Sequence, residues 1–75
     1  METNRPLPFD CVIMDKKPVE VENFNSGEKC MLEPDAVAVF DTIKGAEFLN
    51  DHATVNKGLD WFRTYFPKEY YILLD

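Results

Sequence analysis

The apolar period of this chain changes once, at Glu33-Pro34-Asp35, and that change limits the folds open to it. Before it, apolar residues alternate or run in short blocks. After it, Ala36, Val39, Phe40, Ile43 and Ala46 recur at the spacing of one helix face. Proline is tolerated in a first helical turn, and Asp35 sits well near the positive end of the helix dipole. The spacing predicts a helix from about Pro34 to Asn50, with Asp41, Lys44 and Glu47 on its other side. Gly45 inside that helix costs about 1 kcal/mol relative to alanine. A close contact with another helix or a sheet would account for it.

Upstream, Pro6 and Pro8 oppose helix, and residues 1–8 read as an extended arm. Phe9 to Met14 (FDCVIM) is short, apolar and partly β-branched, as a strand buried on much of both faces would be. Asp15-Lys16-Lys17-Pro18 is a turn candidate. Val19 to Phe24 (VEVENF) alternates, with Val19 and Val21 on one face and Glu20 and Glu22 on the other. These segments predict a β-hairpin over residues 9–24. Asn25-Ser26-Gly27 is a second turn, and Lys29 to Leu32 (KCML) a candidate third strand.

Downstream, Asp51 is a plausible N-cap for a helix from about His52 to Phe66, which Pro67 ends. Val55, Leu59, Phe62 and Phe66 form one stripe along it. Trp61 and Tyr65 flank that stripe. Lys68 to Leu74 fits a last helical turn or two, or a closing strand. Strands followed by helices predict a small α+β fold: an N-terminal hairpin or three-stranded antiparallel sheet, a helical hairpin and a short C-terminal element. Residues 9–75 are expected to form the single domain, with the arm before it.

Charge narrows the function classes. Fourteen acidic and eight basic residues leave a net charge of −6. Such a balance opposes direct nucleic-acid binding, which calls for a basic patch, and docking on anionic lipid. The acidity is even: residues 1–33 and 34–75 each hold seven acids and four bases. Acidic mimicry of a nucleic acid would need carboxylates gathered on one surface. No window approaches eighteen apolar residues, so no membrane span is expected. The opening METNRPLPFD is polar and has no secretory signal core. The expected compartment is the cytoplasm (host cytoplasm if viral), with Cys11 and Cys30 as reduced thiols.

Catalytic and metal signals are weak. Cys11, Cys30 and His52 lack the close ligand pairs of a zinc site, and a fourth ligand is missing. Glu20 and Glu22 share a strand face, which a solvated face explains. No phosphate-binding glycine pattern occurs. The chain is therefore expected to be non-enzymatic, with no cofactor and no metal.

The aromatic residues are the remaining signal. Six of the eleven residues from Trp61 to Tyr71 are aromatic. Val39, Phe40, Ile43, Val55, Leu59, Phe62 and Phe66 have the spacing of a core. Trp61, Arg63, Tyr65, Tyr70 and Tyr71 are of the types enriched at interface hot spots and form the candidate contact surface. The competing reading has Trp61 covering the hairpin and the late tyrosines rimming the core. The sequence thus suggests a small acidic interaction module, an adaptor, regulator or inhibitor acting on another protein. By size and charge alone it is analogous to phage and mobile-element accessory proteins. The alternatives are a subunit of a homo-oligomer or larger particle, and an acidic nucleic-acid mimic.

Overall fold

Two short strands and three helices follow one another, with the switch from strand to helix at Pro34. The computed structural model describes residues 5–23 and 25–74. Strand β1 (Val19–Glu22) pairs antiparallel with β2 (Lys29–Leu32), and helices α1 (Pro34–Phe48), α2 (His52–Tyr65) and α3 (Pro67–Leu73) complete a small α+β domain.

The hairpin lies one segment later than the sequence suggests. Val19 faces Leu32 and Val21 faces Cys30 on the inner side; Glu20 faces Met31 and Glu22 faces Lys29 on the outer side. KCML, the candidate third strand, is thus the second strand of the hairpin. The strand expected over Phe9 to Met14 does not form. The reason lies in the turns. Gly27 takes φ +78°, which its missing side chain permits, and its N–H donates to the Asn23 carbonyl at 2.7 Å. Asp15-Lys16-Lys17-Pro18 has no comparable residue, and Pro18 brings no N–H to a ladder. Phe24, expected to end the first hairpin, lies outside the described residues.

Helix α1 starts where Pro34 predicts, and residues 34–39 are nearly all buried. Asn50 closes it with φ 60°, a left-handed position asparagine tolerates. The Asp51 N–H donates back to the Ala46 carbonyl at 2.8 Å. Asp51 then caps α2 as expected, accepting from the Thr54 N–H at 3.2 Å and the Thr54 hydroxyl at 2.7 Å. Phe66 is the joint between α2 and α3, and the C-terminal element is a helix, not a strand. The Asn23 amide ties the hairpin to α3 by donating to the Ile72 carbonyl at 2.8 Å.

The core lies between α1, α2, α3 and the inner face of the sheet. Leu32, Ala36, Val39, Ile43, Phe62, Trp61 and Leu73 are buried in it. Phe40, Val55 and Phe66 pack on it half-buried, and Leu59 is half-buried too. Gly45 does not make the close contact expected of it: a Cβ there would meet nothing within 4 Å. Gly58 is the true point of close approach. A Cβ on it would overlap Ile43 Cγ1, fall 2.5 Å from Ile43 Cδ1 and lie 3.4 Å from the Phe9 ring.

Candidate interaction surface

The five candidate contact residues do not share a surface. Arg63 and Tyr65 are two residues apart on α2, which separates them by about 200° around the helix axis. One flank of α2 carries Trp61 and Tyr65. The other carries Arg63, which reaches α3.

On the first flank, Trp61 is only 6% exposed. Its ring meets Phe62 at 5.4 Å, edge to face, and Tyr65 and Phe66 at 5.6 Å and 5.5 Å. Its indole N–H donates to the Pro6 carbonyl at 2.5 Å. Trp61 is thus a core residue, and it covers the N-terminal segment, not the hairpin. That segment runs across the helices as a strap. Arg5 lays its guanidinium over the Phe66 ring, 4.7 Å from the centroid. Its Nε and Nη2 donate to the two oxygens of Asp35 at 2.7 Å and 2.9 Å.

The Asp35 carboxylate is fully buried, and its Oδ1 also accepts from the Ala36 N–H at 2.9 Å. Burying such a charge is costly unless it is paired and hydrogen-bonded, and the bidentate fork supplies both. The same bonds hold the Arg5 guanidinium above its ordinary pKa, with Asp35 as the main cause. Leu7, Phe9 and Cys11 continue the strap, packed on the core.

The second flank is open. Arg63 Nη1 donates to the Tyr70 hydroxyl at 3.3 Å, and its guanidinium lies 5.4 Å from the Tyr70 ring centroid. Nη2 bonds Asp60. Tyr70 meets Tyr71 at 6.1 Å, edge to face, and Tyr71 is 70% exposed. Arg63, Tyr70 and Tyr71 therefore form one contiguous group that presents a guanidinium and two phenols. Tyr65, 40% exposed, stands apart from it.

Other candidates resolve as follows. Among the described residues, no three His, Cys, Asp or Glu side chains gather as a metal-binding group. Cys11 and Cys30 are free thiols, half-buried. Burial raises both thiol pKa values, aided by Asp10 and Asp35 at Cys11 and by Glu69 at Cys30. That direction lowers the thiolate fraction and with it nucleophilicity. The outer face of the hairpin mixes Glu20 and Glu22 with Lys29 and Met31. A hollow of about 400 Å³ has Phe40 and Leu73 in its lining, with Glu22 and Lys44 at the same site. No described helix is long and apolar enough to cross a membrane.

The sequence had no means to place Pro6 beside Trp61. The signal it did carry was Arg5 and Asp35, an opposite-charge pair flanking two apolar runs. Comparison of the chain with protein-family models, curated proteins and solved structures finds no match.

Proposed function

We propose that this chain is a non-enzymatic interaction module that binds another protein through Arg63, Tyr70 and Tyr71, acting in the cytoplasm as an adaptor, regulator or inhibitor. The observation that carries the reading is the exposed group at the α2–α3 corner. Its arginine is held by Tyr70 and Asp60, so part of the cost of ordering that side chain is met before a partner arrives. Amphipathic aromatics beside an arginine are the composition of binding hot spots. The Arg63 guanidinium carries five N–H donors, more than Asp60 and Tyr70 use, and the rest can reach a partner carboxylate. Nucleic-acid mimicry is the weaker reading, because Lys29 stands opposite Glu22 on the hairpin face and the other basic residues are spread among the acidic ones along the chain.

The test is capture of binding proteins from a cell lysate on immobilised chain, with an Arg63→Ala/Tyr71→Ala variant beside the wild type. Both side chains are exposed, so circular dichroism should show the same fold in each. Specific proteins recovered by the wild type and lost from the variant support the proposal. Recovery of the same set by both overturns it. Substitution at Trp61 is the wrong test, since it removes a core ring and the anchor of the strap.

A further inference from the structure

The strand-like run from Phe9 to Met14, with Asp15 and Lys16 after it, has no strand partner among the described residues. Among the described residues, positions 10–17 make no backbone–backbone hydrogen bond. Phe9 and Cys11 pack on the core, while Asp10, Val12 and Met14 face solvent. Val12 and Met14 are 77% and 83% exposed, against 39% for Ile13 between them. Large apolar side chains beside unpaired backbone donors and acceptors are what an added strand covers.

We propose that this segment pairs with the same segment of a second copy, as an antiparallel ladder centred on Ile13. Charge complementarity selects the second copy as occupant, and the alternation of solvent-facing and core-packed residues selects the register. With Ile13 opposite Ile13, Val12 falls opposite Met14 and Asp10 opposite Lys16, each twice because the pairing is two-fold symmetric. Residues of like parity then meet: on the solvent face Val12 meets Met14 and Asp10 meets Lys16, while on the other face Cys11 falls opposite Asp15. A slip in one direction sets Asp10 against Asp15. A slip in the other sets Val12 against Asp15, although Asp10 then meets Lys17. Either slip also brings the solvent-facing residues of one copy onto the face that holds the core-packed Phe9 and Cys11 of the other. The pairing completes the strand that the residue types of FDCVIM favour and that a single copy leaves unpaired.

The test uses the full chain under reducing conditions, with molar mass followed by light scattering up to high micromolar concentration. A reversible dimer is expected. Asp10→Lys and Lys16→Asp should each weaken it about tenfold, since each turns two attractive pairs into repulsive ones. The double variant Asp10→Lys/Lys16→Asp should restore it, because the two charges of each pair are then exchanged and again opposite. Ile13→Cys in a Cys11→Ala/Cys30→Ala background should oxidise to a covalent dimer. A monomer at every concentration overturns the proposal. So does a dimer that ignores both charge reversals or fails to cross-link at position 13. Asp10 and Lys16 are exposed, so the fold should survive each change. Capture through Arg63 and Tyr71 is independent of these substitutions, and the two proposals can therefore fail separately.

Discussion

Trp61 and Tyr71 belong to the same aromatic tail, ten residues apart, and meet opposite fates. Trp61 is enclosed by three neighbouring rings and by a carbonyl from the far side of the sequence. Among the described residues Tyr71 has one aromatic neighbour, and it is largely in solvent. Residue type does not separate them, since both are large rings with a polar tip. What marks Trp61 out is the strap, whose Arg5 and Pro6 bond to Asp35 of α1 and Trp61 of α2. An aromatic residue here is core or surface according to what a distant irregular segment covers.

The sharpest way to break that comparison is Asp35→Ala. It removes the buried anchor of the strap and leaves Arg5 the longer ion pair with Glu33, at 3.5 Å. The expected loss is about 3 kcal/mol in urea unfolding, at the low end for a broken buried pair because Arg5 retains partial access to water. A loss near zero would mean the strap is decoration. Next come the two helical glycines, with opposite signs. Gly58→Ala should destabilise by about 1–3 kcal/mol, as Ile43 must shift to admit the new methyl group. Gly45→Ala should stabilise by up to about 1 kcal/mol, because the space around it is open. Thermal melting of both variants checks the pair.

A smaller effect is expected at Asp41, whose carboxyl is raised mainly by burial and then by Asp15. A raised carboxyl favours the folded state while protonated, and that contribution is lost as pH rises through its folded-state pKa. Asp41→Asn should therefore melt above wild type at neutral pH, and the gap should close as pH falls below the ordinary carboxylate range. Melting curves taken across acid and neutral pH give the answer. Smallest of all, Tyr71→Ala should change unfolding stability by less than about 0.5 kcal/mol, as exposed positions do. A loss comparable to that of Asp35→Ala would place Tyr71 in the structural group and erase the contrast.

Local chemistry made most of the fold legible. Pro34 and Asp51 each mark a helix start, Pro67 marks the end of α2 but left the next element open between helix and strand, and the apolar spacing names the buried stripe of Val39, Ile43 and Phe62. The alternation of VEVE is a strand because its partner is close, across a turn with a usable glycine. FDCVIM has residues as favourable, but its neighbouring turn has none, so packing on the core beside Gly58 replaces the ladder. Gly45 and Gly58 look alike in the sequence. Only the crossing of α1 and α2 decides which one Ile43 touches. The grouping of the candidate contact residues was half legible: Arg63, Tyr70 and Tyr71 meet across a tight joint, where sequence distance is a fair guide. Trp61 was misplaced because its partner, Pro6, lies 55 positions away.

That separation sets the order of events during synthesis. Arg5 and Pro6 leave the ribosome long before Trp61 exists. Until α2 is complete, Leu7 and Phe9 have no groove to enter and travel as an exposed apolar peptide. Closing so long a loop comes after the local helices and the hairpin have formed. The earlier-made strap is then seated after the elements that follow it, and the indole of Trp61 is buried only at that step.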